Sequence, residues 1–254
     1  FLKKNEKEKF LKNYNKQPDL HIVFKNKSRL SAFEESLIKT SELSGFLKTK
    51  INIKKIYSFK KGDWWIQDFS SFFPIQNIPN IKKNSNVLDA CAAPGGKAFQ
   101  ILSKNIEIFL NDKNKNKIEI LKSNLKRLNF EAKIFNEDFT TYNFKKKYNY
   151  IILDAPCSAI GTIRKNPEIF FKNKGPNFKE LINIQQKMLE KASLLVQKEG
   201  YILYMVCSFF KNETEEQINK FLINSNEFEL CNFELIEQSI DYLKLIKNKY
   251  MLTL

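Results

Sequence analysis

The sequence predicts an α/β protein: a largely parallel sheet covered by helices on both faces, preceded by a small α+β appendage. Three observations carry that reading. From Val87 onward, short apolar runs alternate with longer segments of helical periodicity. The runs are continuous rather than alternating, as in strands buried on both faces. Chemistry-bearing residues (cysteines, aspartates and a glycine pair) fall directly after those runs, where ligands gather in such sheets.

Taken in order, Glu6 to Tyr14 reads as a short helix broken at Gln17-Pro18-Asp19, and Leu20 to Phe24 as a strand. Leu30, Phe33, Leu37 and Ile38 make an approximate apolar face, which predicts a helix from Arg29 to Lys39. Ile51 to Phe59 and Trp64 to Gln67 are further strand candidates. The resulting β-α-β-β appendage ends near the proline-marked segment Pro74 to Pro79, so residues 1–79 are expected to hold the appendage and linker, and 80–254 the main domain. There, strands are expected at Val87–Asp89, Ile106–Leu110, Ala132–Phe135, Tyr148–Leu153, Tyr201–Val206 and Phe233–Ile236. Helices are expected at Ala98–Ser103, Ile118–Leu128, Phe178–Val196 and Glu213–Ile223. Ile118, Leu121, Leu125 and Leu128 are spaced as on a helix packed against a sheet.

At 254 residues the chain can bury a full core. It has no apolar stretch long enough for a membrane helix, and its first ten residues lack the apolar centre of a secretory signal. One histidine, His21, and four cysteines without a short repeated spacing speak against a metal site or a disulfide scaffold. Reduced thiols in a cytoplasmic protein are the expectation. The net charge of +15 points to a polyanionic partner, although the preponderance of lysine over the three arginines, Arg29, Arg127 and Arg164, also fits an A/T-rich coding sequence.

Asp89-Ala90-Cys91-Ala92-Ala93-Pro94-Gly95-Gly96-Lys97 places two glycines between a strand and a helix, where backbone can approach a ligand closely. It matches neither the Gly-x-Gly-x-x-Gly dinucleotide pattern nor a phosphate loop. Asp112 follows the second strand, placed to accept ribose hydroxyls, and Asp138 follows the third, near an adenine; helix capping by Asp112 and a turn at Asp138 are the alternatives. Cys91 and Cys231 read as small core hydrophobes. Cys157, in Asp154-Ala155-Pro156-Cys157-Ser158, and Cys207, in Val206-Cys207-Ser208, sit at strand ends where a thiolate can be exposed and activated; a structural role for each stays open. Arg164 and Lys165 lie on the loop after Cys157 and can meet phosphate or a base edge, or simply be solvated. Trp64 and Trp65 suit either base stacking or the core. His21 reads as structural.

These motifs, in this order, resemble the Sun/NOP/NOL family of S-adenosylmethionine-dependent RNA cytosine-C5 methyltransferases, with the nearest likeness to bacterial enzymes acting on small-subunit ribosomal RNA. The matching stretches are Gln67–Ser71, Asp89–Lys97, Asp112, Asn124–Leu128, Asp138, Asp154–Ser158, Arg164–Pro167, Cys207-Ser208 and Glu213. The resemblance implies a Rossmann-like class I methyltransferase sheet behind an RNA-binding appendage. Cys91, Ala92, Ala93, Pro94, Gly95, Gly96 and Lys97 would hold the methionyl part of S-adenosylmethionine, Asp112 its ribose, Asp138 its adenine region, and Asp154 would share in that site. Cys207 would be the nucleophile that adds to C6 of cytosine and Cys157 the partner in product release. Asp154 would act as the acid at N3 or orient the base, and Arg164 and Lys165 would bind the substrate.

Departures accompany the likeness. Val206 replaces the threonine usual before the nucleophile, and Lys165 replaces a second arginine. The chain stops before the stretch that supplies a final antiparallel strand in the family, and no helical N-terminal RNA-binding domain precedes it, so both ends are expected to be truncated. The expected partner is RNA, as 16S ribosomal RNA, with transfer RNA as the alternative substrate; no membrane, no metal and a monomer are expected. A noncatalytic RNA-binding or ribosome-assembly protein is the alternative from another class. A thiol hydrolase would lack a base, since His21 lies outside the main domain.

Overall fold

The computed structural model describes residues 18–30, 37–47, 58–79, 81–171, 175–231, 246–247 and 250–251. The main body is a five-stranded parallel sheet formed by β5 (Asn86–Asp89), β6 (Glu107–Asn111), β7 (Lys133–Phe135), β8 (Tyr148–Asp154) and β9 (Val196–Met205), in the order β7-β6-β5-β8-β9. Strand order reverses between β5 and β8, which opens a crevice beyond their carboxyl ends. Their register, Val87 opposite Tyr150 and Asp89 opposite Ile152, is pinned at the far end by two asparagines. Asn86 N–H donates to Asn149 Oδ1 at 2.9 Å and Asn149 N–H to Asn86 Oδ1 at 2.8 Å.

Side chains alternate across this sheet as period-two geometry requires. Val87, Ile108, Leu110, Tyr150 and Ile152 face one side, packed by Ala98 and Ile101 of α3 (Gly96–Leu102) and by α4 (Lys115–Leu128). Leu88, Phe109, Ile151 and Leu153 face the other, against Met188, Leu189, Ala192 and Leu195 of α5 (Phe178–Leu195). The expected apolar face of α4 is the buried one; each of its four aliphatic side chains contributes about 1.5–3 kcal/mol over exposure. Asn114 caps its start by accepting Lys117 N–H, and Asn129 ends it in the left-handed region at φ 51°. Helix α6 (Glu215–Asn224) follows β9.

The small sheet comprises β1 (His21–Phe24), β2 (Leu37–Ser41), β3 (Ser44–Leu47) and β4 (Trp64–Ile66), antiparallel throughout in the order β2-β3-β1-β4. Here the helix expected over Arg29–Lys39 is corrected. Among the described residues, Lys27–Leu30, helix α1, is helical, and Leu37–Ser41 is one arm of a hairpin with β3, while residues 31–36 lie outside the described residues. Leu37 turns into the small core beside Leu30, Leu47 and Trp64, whereas Ile38 is exposed. A register shift between Lys39 and Ser41 breaks the regular alternation that marks a strand. Residues 51–57 of the expected strand lie outside the described residues, as do Glu6–Tyr14 and Phe233–Ile236; Ser58 and Phe59 form a turn.

The segment before the large sheet is not an open linker. Phe69–Gln76 forms helix α2, with Pro74 inside it, and Asp68 caps it by accepting Ser70 N–H. Phe72, Ile75 and Ile78 share a core with α3, α4 and the large sheet, joined from the small sheet by Val23 and Trp65. Trp64 and Trp65 are both buried, which decides against base stacking in favour of packing. Two short antiparallel strands, β10 (Ile246–Lys247) and β11 (Tyr250–Met251), pair with each other. Among the described residues no helix is long and apolar enough to cross a membrane.

Candidate active site

The carboxyl ends of all five strands of the large sheet carry the residues the sequence singled out, and hydrogen bonds between their loops assemble them. Cys91 to Lys97 forms the turn from β5 into α3. Gly95 has φ 114°, and a Cβ there would lie 2.1 Å from the Phe99 ring, so both its backbone and its packing require glycine. Asp112 ties this turn to β6: its Oδ2 accepts Ala93 N–H at 3.2 Å and its Oδ1 accepts Asn114 N–H at 2.9 Å. Asn111, not foreseen as a site residue, donates to the Ala90 and Glu137 carbonyls and so joins the loops after β5 and β7.

Asp138 forms the turn that was its alternative reading, accepting Thr140 N–H and Oγ1–H, while Lys113 Nζ donates to it at 2.6 Å. Those hydrogen bonds, Lys113's first, hold its carboxyl down at about 2. Asn114 rather than Asp112 caps α4. Asp89, quoted in the motif without a role, is fully buried; burial raises its carboxyl to about 7, and its Oδ2 has no hydrogen-bond partner. Cys91 is half-buried beside it, its thiol pushed up first by burial and then by Asp89. The crest thus presents the carboxylates of Asp89, Asp112, Asp138 and Asp154. A ligand bearing an ammonium group and ribose hydroxyls fits that acceptor set, and the orphaned Asp89 oxygen in particular.

Lys97 reaches from α3 across the crevice and donates to Asp154 Oδ2 at 2.5 Å. Burial opposes its charge, but Asp154 and then Asp89 outweigh burial and hold the ammonium above the ordinary lysine value. Beyond β8 and β9 the two cysteines meet: Cys207 N–H donates to Cys157 Sγ at 3.2 Å. The hydrogen bond from the Cys157 thiol lowers the pKa of Cys207 against burial and Asp154, helped by the cations of Lys97 and Lys165. The same bond, with burial, pushes the Cys157 thiol up. Cys207 is exposed and Cys157 half-buried, so Cys207 is the more accessible thiol of the pair. Cys231 is exposed rather than in the core, which corrects the expectation for it.

Arg164 and Lys165 follow a 3-10 turn, Ile160–Thr162, packed on Cys207; Gly161 N–H donates to Cys207 O at 3.0 Å. Lys165 pairs with Asp68 at the cap of α2, a tether between the two parts of the chain that the sequence did not reveal. Glu213 was quoted among the matching stretches without a role. It is fully buried and accepts hydrogen bonds from Ser158, Ser208 and Gln185, partners up to 55 residues away in sequence.

Strand order, glycine turn and acid-lined crevice together define a Rossmann-like class I methyltransferase. The family model described as 16S rRNA methyltransferase RsmB/F matches residues 77–252, and the chain belongs to that family. It is 33% identical over 152 residues to the ribosomal RNA small subunit methyltransferase B of Shewanella oneidensis, covering 58% of this chain and 36% of that protein. It is 32% identical over 191 residues to the probable ribosomal RNA small subunit methyltransferase B of Bacillus subtilis, covering 71% of this chain and 42% of that protein. The chain therefore spans less than half the length of these relatives. Among solved structures, PH0851 superposes with a TM-score of 0.81 at 27% identity over 91% of this chain and 56% of its own. NSun6 from Pyrococcus horikoshii with SFG superposes at 0.66 with 25% identity, over 75% of this chain and 49% of its own.

Proposed function

We propose that the protein transfers a methyl group from S-adenosylmethionine to C5 of a cytosine in small-subunit ribosomal RNA, through a covalent bond between Cys207 and C6 of the base. The observation that carries this reading is the paired thiols, one exposed and with lowered pKa, the other beside it and raised, at the mouth of an acid-lined crevice. The names of the Shewanella and Bacillus relatives support the RNA substrate. The setting is the cytoplasm, where such RNA is made.

In this mechanism the Cys91–Lys97 turn with Asp89 holds the methionyl part of S-adenosylmethionine, Asp112 the ribose and Asp138 the adenine side. When bound, it supplies a sulfonium-activated methyl group for C5. The base leaves its stack to enter the pocket, steered by Arg164 and Lys165. Asp154, oriented by Lys97, accepts from the polar edge of the cytosine, with the Lys97 ammonium as the proton-bearing group at its side. The Cys207 thiolate forms its bond to C6, which places electron density on C5. After methylation, solvent takes the C5 proton as the Cys207–C6 bond breaks and its electron pair returns to Cys207 as the thiolate, which the protonated Cys157 thiol beside it stabilises.

The test is to incubate the complete natural protein with labelled S-adenosylmethionine and unmodified total RNA, then map 5-methylcytosine. Label at one small-subunit cytosine supports the reading. Label confined to transfer RNA changes the substrate, and no label from folded protein that binds S-adenosylmethionine favours a noncatalytic RNA-binding role. Cys207→Ala is expected to abolish turnover and Cys157→Ala to leave a stable protein–RNA adduct; rapid turnover in the first would sink the assignment.

A further inference from the structure

The turns that carry the two thiols end on one shared carboxylate. Ser158 and Ser208, the residues directly after Cys157 and Cys207, donate their hydroxyls to Glu213 Oε2 at 2.6 and 2.5 Å. Ser158 N–H donates to Oε1 at 2.8 Å and Gln185 Nε2 to the same oxygen at 3.1 Å. Glu213 is 0% exposed. A carboxylate removed from water is costly unless donors surround it, and here every donor that reaches it is uncharged and belongs to the thiol turns or to α5. The residue is itself held in place: Tyr204 O–H donates to Glu213 O at 2.8 Å, and Gln185 also donates to Pro156 O at 2.9 Å.

Each serine hydroxyl has one proton to give, and both give it to Oε2 of this one side chain. Backbone hydrogen bonds from Ala155 to Met205 and from Gly161 to Cys207 already bring the two turns together. A Cβ on Gly161 would lie 3.1 Å from Cys207 O, so that approach is close. These contacts fix how near the turns lie, and the serine–carboxylate bonds fix how each is rotated towards the other.

We propose that Glu213 is a positioning residue for the thiol pair, joining the Cys157 and Cys207 turns through Ser158 and Ser208 and so setting the approach of one sulfur to the other. It rests on the proposal that Cys207 adds to the base and Cys157 assists release. Glu213 touches neither sulfur and acts through the serines. Loosening it lets the turns rotate independently and lengthens the contact between Cys157 Sγ and Cys207.

The experiment compares wild type, Glu213→Gln and Ser208→Ala in the complete natural protein, with thermal unfolding of each run alongside. Ser208→Ala cuts the arm to the Cys207 turn, along with the Ser208 contacts to Ser158 Oγ and Phe210 N–H, and serves if Glu213→Gln folds poorly. Two readouts are taken: methylation kinetics, and the pH profile of Cys207 alkylation by iodoacetamide, followed by peptide mass spectrometry. The expected result is a fall in kcat of about 10- to 100-fold and a KM for RNA within about twofold of wild type. The alkylation midpoint moves to higher pH, because Cys207 loses the hydrogen bond that stabilises its thiolate. Unchanged kcat and an unchanged profile in the folded variants would overturn the assignment. So would a fall in kcat with an unmoved profile, which would leave Glu213 a carboxylate of structural importance alone. If wild type makes no 5-methylcytosine, the methyl-transfer reading fails and the alkylation profiles alone decide the clamp, a shift supporting it and no shift overturning it.

Discussion

In the five-stranded sheet, β5 and β8 are gripped by aliphatic and aromatic side chains on both faces, whereas the four-stranded sheet meets the rest of the chain through Val23, Trp65, ring contacts of His21 and Phe46 with α2, and a set of directional polar contacts. His21 bonds to Gln67 O at 2.9 Å and to Thr40 Oγ1 at 2.8 Å; Gln67 in turn accepts Trp65 Nε1–H and donates to Gln100 of α3 at 2.6 Å. Arg127 of α4 donates to the carbonyls of Phe59 and Trp64, each at 3.0 Å, and Lys25 Nζ to Leu128 O at 2.5 Å. Apolar burial is strong but indifferent to angle, so it suits a sheet whose job is to exist. Hydrogen bonds are weaker in net terms but specify orientation, so they suit a unit that must be presented at a set angle to the thiol turns.

That contrast can be broken by experiment. The largest effect is expected from Leu88→Ala in β5: a cavity in the large sheet's core, a loss of about 4 kcal/mol, and one cooperative urea transition in which both sheets unfold together. Separate transitions for the two sheets would show that the smaller one stands alone.

Acid should act on the small sheet first. Burial lowers the His21 pKa to about 4, so the folded chain keeps this ring neutral where the unfolded chain protonates it. Its contribution is complete above pH 6.5 and is lost as pH falls towards 4, by about 3 kcal/mol in total. Stability measured from pH 7 down to 4.5 should drop more steeply in wild type than in His21→Gln; parallel curves would remove His21 from the joint. The smallest effect is expected from Arg127→Met, which keeps the packing stem but deletes both carbonyl contacts. A loss of about 2 kcal/mol and faster proteolysis between Phe59 and Ile66 are expected, with the alkylation profile of Cys207 unchanged.

The large sheet was readable because β5, β6 and β8 are mostly buried apolar runs and α4 and α5 have clear helical period, and because Cys157, Cys207, Lys97 and the aspartates sit within a few residues of strand ends. The small sheet hid for a local reason. Leu30, Phe33, Leu37 and Ile38 satisfy helical spacing, and the irregularity between Lys39 and Ser41 erased the alternation that would have revealed β2. Pro74 concealed α2 in the same way, although Asp68 and Ser70 form a usable capping signal. Trp64 and Trp65 were ambiguous because adjacent strand residues face opposite sides, and here both sides are interior. Glu213 belonged to the matching stretches, but its hydrogen bonds, like the Lys165–Asp68 tether, had no local signature, since the partners arrive only through the fold.

The reciprocal pair of Asn86 and Asn149 lies at the opposite end of β5 and β8 from the chemistry, yet it acts as a ruler for it. Parallel strands advance about 3.3 Å per residue, so the bottom register decides how high Asp89 and Asp154 stand. A slip of one residue would exchange Leu88 for Val87 on each face and carry the glycine turn away from the Lys97–Asp154 contact. The alignment of the crevice is therefore measured out from the base of the sheet.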